Sequence, residues 1–195
     1  MGALLRERTP RRIVIACFSL LFTLGSVLNA EIIDRVLAIL PGQIVTLSDV
    51  EAALDFGLVE PPSGAERIAG GLSALVDRML MLNEVRRVVP PEPRPAAIDA
   101  RIARMRQRFS SAEDFSRALS ARGVDEAVLR IYAADDLRLA SYLDERFSSA
   151  AQPTEEELRK AGEAAKEALT SERRGALIGA WAAELRRRAD VTVLP

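Results

Sequence analysis

The chain has 195 residues, 49% hydrophobic and 28% charged, enough for one domain with a substantial core and ordinary for a globular protein. Its net charge is −1, and the basic residues Arg6, Arg8, Arg11 and Arg12 sit in the leader, so the remainder is mildly acidic and a poor match for nucleic acid. Histidine is absent and the single cysteine, Cys17, lies in the apolar leader. This excludes Ser-His-Asp and Cys-His catalysis, histidine general-base work, most zinc chemistry and any disulfide in the rest of the chain.

Residues 1–30 read as a cleavable export signal: a basic stretch from Arg6 to Arg12, an apolar run from Ile13 to Leu28, and Ala30 as the small residue before cleavage at Glu31. Ser19, Thr23, Gly25, Ser26 and Asn29 weaken that run as a retained anchor, so no stable membrane span is expected after cleavage. Val14-Ile15-Ala16-Cys17 loosely matches a lipoprotein box, but the apolar run follows the cysteine instead of preceding it. One domain over 31–195 is expected to remain.

Arg35 to Leu40 predicts a strand, Pro41-Gly42 a tight turn, and Gln43 to Thr46 a second strand. Ser48 and Glu51 have capping-box spacing, and Gly57 suits the end of the helix that follows. A hairpin alone is marginal, and Val191 to Leu194 is the other strand-like run, so the C-terminal strand is expected to close on the N-terminal hairpin. Between them the chain is mainly α.

The second helix is expected from Glu66 to Val88, with Ile68, Leu72, Leu75, Met79 and Leu82 as its inward stripe. Met79-Leu80-Met81-Leu82 covers the whole circumference. Burial on every side is one reading; a second, adaptable peptide-binding surface of Met81, Val85 and Val88 is the other. Pro90, Pro91, Pro93 and Pro95 make a stiff connector into a third helix with Ile98, Ile102, Met105 and Phe109 inward. Arg101, Arg104, Arg106 and Arg108 are expected on its solvated face.

Ser111 and Asp125 cap the fourth and fifth helices, the fifth with Val128, Tyr132, Leu139 and Leu143 as its stripe. Asp135-Asp136 reads as solvated surface: neighbours in a helix point about 100° apart, and no third carboxylate stands one turn on. Thr154 and Glu157 have capping-box spacing for a short sixth helix, and the last helix is expected from Ser171 to Arg188. No Gly-rich phosphate loop, Gly-x-Ser-x-Gly, Cys-x-x-Cys or His-Glu-x-x-His occurs, so neither an enzyme nor a cofactor is expected.

A strand, a turn and a second strand ending in Thr46-Leu47-Ser48-Asp49 resemble the start of the SurA-type periplasmic chaperones. The likeness continues in order: Leu72 to Arg87, Pro95 to Phe109, Ala112 to Arg122 and Asp125 to Phe147 resemble that family's next helices. Gln152 to Leu158 resembles the lead into its isomerase domain, and Trp181 to Leu194 its final helix and strand. The chain departs from the family in having no isomerase domain between Leu158 and Trp181. The resemblance implies a helical SurA N-terminal-type domain in the periplasm that binds unfolded or extended envelope and outer-membrane proteins, without prolyl isomerase activity. The alternative is a non-catalytic envelope adaptor that uses the same fold for one fixed partner or for homodimerisation.

Overall fold

Apolar and β-branched residues put Val36–Leu40 (β1) and Gln43–Thr46 (β2) into an antiparallel hairpin. The computed structural model describes residues 34–194; the leader expected at residues 1–30 lies outside them. The hairpin turns at Pro41-Gly42, with Gly42 at φ 76°, a left-handed value that only glycine adopts without strain. A bulge between Val36 and Ala38 inserts one extra residue into β1, and Leu37 and Ala38 are both buried in succession beside it. Ile39 then points outward opposite Ile44, and both are exposed.

The chain ends where it began. Thr192–Val193 (β3) pairs antiparallel with the free side of β1, giving the order β2-β1-β3, and Leu194 N donates to Leu37 O at 2.8 Å. The closing strand is shorter than the run expected from Val191 to Leu194. Among the described residues β2 pairs with β1 alone, so its outer side is an open edge.

Helix α1 (Leu47–Asp55) follows β2 without a loop, which moves its cap from the expected Ser48 to Thr46. Thr46 Oγ1 accepts from Asp49 N at 3.3 Å, and Asp49 Oδ2 accepts from Thr46 N at 2.9 Å, a complete capping box. Ser48 turns instead to Asp34, donating through its hydroxyl and, at 3.3 Å, through its backbone N–H. The expected stop at Gly57 is present: with φ 64° it lets Leu58 N reach Ala53 O at 2.8 Å and Gly57 N reach Leu54 O at 3.3 Å.

Helix α2 (Arg67–Arg87) packs against α1, α5 (Glu126–Phe147) and α7 (Lys166–Arg188); the other helices are α3 (Pro95–Arg106), α4 (Ala112–Ala121) and α6 (Glu155–Ala161). Ser111, Asp125 and Thr154 cap α4, α5 and α6 as their spacing predicts. Helix α7 starts at Lys166 rather than Ser171, after a break at Gly162 and a single 3-10 turn. Helix α3 stops at Arg106, short of Phe109, which packs from the following loop.

One core lies under the sheet. Leu37, Leu40 and Val45 meet Val50 and Leu54 of α1, Leu72, Val76 and Leu80 of α2, and Leu185 of α7. Arg186 fastens α7 to α2 by pairing with Asp77 and donating to Ser73 O at 2.6 Å. A second core joins α3, α4 and α5 around Phe56, Met105 and Phe115. Phe56, Phe109 and Phe115 form an aromatic triad with centroids 5.3 to 6.1 Å apart. Burying a side chain such as Phe56 contributes about 1.5–3 kcal/mol. The buried line of α5 is Leu129, Ala133, Leu139 and Phe147, shifted from the expected Val128, Tyr132 and Leu143, which are half-buried. Ala133 and Ala134 let α5 approach closely, and alanine is invisible to a stripe drawn through large apolar residues.

Among the described residues no helix is long and apolar enough to cross a membrane.

Candidate functional site

A pocket of about 390 Å³ lies where β2, α1, α2 and α5 meet. The hairpin contributes Gln43 and Ile44, α1 contributes Asp49 and Ala53, and Leu58 follows from the loop. Helix α2 supplies Leu75, Arg78, Met79, Leu82 and Arg86, and α5 supplies Tyr132 and Asp135. The positions on α2 follow from helical spacing: Leu75, Arg78 and Leu82 stand at i, i+3 and i+7, so Arg78 is carried inward on the same face as two leucines. Ile44, 59% exposed, stands at the open β2 edge beside the pocket.

The polar side of this pocket is an ion-pair network, not the solvated surface expected of Asp135-Asp136 and Arg101. Arg78 is 7% and Asp135 8% exposed. Asp136 Oδ1 accepts from Arg78 Nη1 at 2.7 Å, and its Oδ2 accepts from Arg101 Nε. Arg101 also donates from Nη2 to Gly57 O at 3.0 Å, tying the end of α1 to α3. Asp135 Oδ2 accepts from Arg86 Nη2 at 2.8 Å, and its Oδ1 from Arg138 Nη1 at 3.3 Å. The two neighbouring carboxylates point apart, as a helix requires, and each finds two arginines from different directions. The two pairs on Asp136, whose arginines are nearly buried, hold α2, α3 and α5 in one register, because breaking one leaves an uncompensated charge. The other arginines expected on the face of α3, Arg104, Arg106 and Arg108, are exposed.

Burial, and then the Asp49 carboxylate, push the Tyr132 phenol above its ordinary value. It is therefore a neutral hydroxyl throughout the physiological range. Asp49 itself is occupied by the N–H of Thr46 at the start of α1, where the helix dipole favours a negative charge. The pocket thus combines apolar walls, a flexible thioether, a neutral hydroxyl and partly engaged guanidinium groups. That set can hold an apolar group and hydrogen-bond a polar one beside it; it contains no nucleophile–base pair. Among the described residues no group of three or more His, Cys, Asp or Glu could hold a metal ion.

Met81, Val85 and Val88 do not form a common open face. Val85 is wholly buried, with Leu82 and Leu139, in the contact between α2 and α5. Met81 is half-buried and packs against that contact and against the core under the sheet. Val88 is 58% exposed and lines a different groove, with Val89, Pro90 and Pro91 on one side and Tyr142 and Arg146 on the other. Of the Met79–Leu82 run, Met79 and Leu82 line the pocket, and Met81 does not. Sequence reasoning missed Arg78, Arg86 and Ile44. The signal for Arg78 was present: a charged residue between Leu75 and Leu82 on the buried stripe of α2. The place of Ile44 depends on which edge of β1 the C-terminal strand takes, and that is a matter of topology.

No protein-family model matches the chain, and no curated protein matches it.

Proposed function

We propose that the protein is a periplasmic chaperone or assembly factor that binds unfolded envelope and outer-membrane proteins and has no prolyl isomerase activity. The observation that carries this reading is the apolar-walled pocket next to the unpaired edge of β2. An unfolded client offers two things at once, exposed apolar side chains and unpaired backbone N–H and C=O groups. A free strand edge accepts the second by strand addition, and a neighbouring pocket accepts the first. Met79 in the pocket wall adapts to side chains of different shape, which favours tolerant binding over tight specificity. Such binding requires no cofactor.

The order of elements that resembles the SurA-type chaperones, and the export leader read at residues 1–30, support the periplasmic assignment. The absence of histidine, with only a short helix and the first half of α7 between Leu158 and Trp181, supports the lack of isomerase chemistry. A photo-crosslinking residue at Ile44 tests the reading. It is expected to capture several unrelated unfolded envelope proteins, while the same residue at Glu113, exposed on α4 and outside the pocket, captures few. Capture of a single folded partner from Ile44 would replace the chaperone with a fixed-partner adaptor.

A further inference from the structure

We propose that two copies of the protein pair through the open edge of β2, antiparallel about a two-fold axis centred on Ile44. The pairing rests on the geometry of the sheet. That it covers the client site until a client displaces it rests on the chaperone reading.

The backbone fixes the centre of the contact. Leu37 O accepts from Leu194 N, so Leu37 and, two residues on, Ile39 turn their backbone groups towards β3. Ile39 therefore gives none to Ile44, its partner on β2, and the N–H and C=O of Ile44 are directed to the open side. The next outward N–H along β2, that of Thr46, is taken by the Asp49 carboxylate. Ile44 is thus the one residue of β2 whose N–H and C=O are both left for an added strand. A second copy offers the same residue, and a two-fold through the pair lets each Ile44 N–H donate to the other's C=O.

The side chains favour the same axis. Ile39 and Ile44 stand opposite each other on the solvent face of the sheet, 45% and 59% exposed. The two-fold places them in one row with their symmetry mates, across a sheet ordered β3-β1-β2 and then β2-β1-β3 of the second copy. Gln43 to Thr46 contains no charge and no proline, the usual guards of an exposed edge. The opposite edge, β3, is two residues long, and short edges resist pairing. Beside β2 the pocket wall carries Arg78 and Arg86 with Asp49 and Asp135, so identical copies meet there without net charge. The contact is small beside the ~1,600 Å² that a stable complex buries, so the pair dissociates readily enough for a client strand to take the same edge.

Sedimentation equilibrium of the purified protein tests the pairing. The average mass is expected to rise from one chain towards two across about 1–100 μM, the range of a small interface. Ile44→Lys sets two like charges opposite each other and is expected to remain a monomer throughout, with unchanged thermal unfolding. Ile131→Lys, at a residue 56% exposed on α5, should dimerise like the parent. In a Cys17→Ser background, which leaves no other thiol, Ile44→Cys should form a disulfide dimer. The Cα atoms of a hydrogen-bonded antiparallel pair lie about 5.5 Å apart, within disulfide reach. Ile131→Cys should not form one. A parent protein that stays monomeric, or an Ile44→Lys variant that dimerises as the parent does, overturns the proposal and leaves the chaperone reading standing. An unfolded, cysteine-free outer-membrane protein is expected to lower the yield of the Ile44→Cys disulfide. An unchanged yield while the client's aggregation is still delayed overturns the shared edge. An unchanged yield with no delay overturns the chaperone reading and supports the dimer alone.

Discussion

Asp136 is the residue on which two nearly buried arginines converge. The side chains of Arg78 and Arg101 are 9% and 15% exposed, and both pair with it. Replacing Asp136 by Ala strands two charges and is expected to cost about 3–5 kcal/mol in urea unfolding. Asp99→Ala, which removes a pair with Arg130 whose side chains are 61% and 40% exposed, should cost less than about 1 kcal/mol. Gly57 makes a different kind of demand. A side chain there would face both the left-handed φ of 64° and the Arg108 guanidinium, whose nearest atoms lie 2.8 Å from the added carbon. Gly57→Ala is therefore expected to lower unfolding free energy by about 1–2 kcal/mol. Gly57 was legible in the sequence, because a glycine after an apolar helix has few other uses. Asp136 was not, because a carboxylate looks the same in sequence whether water or an arginine from a distant helix stands opposite.

Short elements here are held by their neighbours, and two of them can be tested separately. Helix α6 is tied to α7 through Glu157, which accepts from Thr154 N at 2.7 Å and from the Arg173 guanidinium. The Thr154 N–H first, then Arg173 and the Thr154 hydroxyl, lower the Glu157 pKa from 4.5 to about 2. A carboxyl with a depressed folded pKa stabilises the fold above its unfolded value and loses that effect as it protonates. The contribution of Glu157 is thus complete above about pH 5 and fades between 4.5 and about 2. An NMR titration should place its midpoint near 2, and Glu157→Gln should remove that part of the acid dependence.

Strand β3 is the other such element. Deleting Asp190 to Pro195 removes its pairing with β1 and the Leu194–Leu37 hydrogen bond. It should lower the stability of the single unfolding transition by about 2 kcal/mol, the worth of two backbone hydrogen bonds. An unchanged transition would show that β1 needs only β2. At this scale the sequence was most informative where a cap is local. Ser111, Asp125 and the Thr154/Glu157 pair are where their spacing places them. The shift from Ser48 to Thr46 at α1 has a physical cause outside that stretch: Ser48 is drawn to Asp34, and the strand runs straight into the helix.

At the scale of the molecule, the mainly helical fold and the return of the C-terminus to the N-terminal hairpin were legible. They follow from apolar periodicity and from the need of a hairpin for a third strand. The pocket was not, since its walls come from four elements that are far apart in the chain, and β2 becomes the open edge only because β3 takes the other side of β1. Fold, pocket and edge together make the proposed chaperone a passive binder: it would hold an exposed segment by strand addition and shallow apolar burial, and release it without chemistry. The most direct measurement is light scattering of several unrelated outer-membrane proteins diluted from urea with the purified protein. The account predicts that aggregation of each is delayed in proportion to the protein added, with no acceleration of prolyl isomerisation in a peptide assay. Aggregation curves unchanged for every client would contradict it.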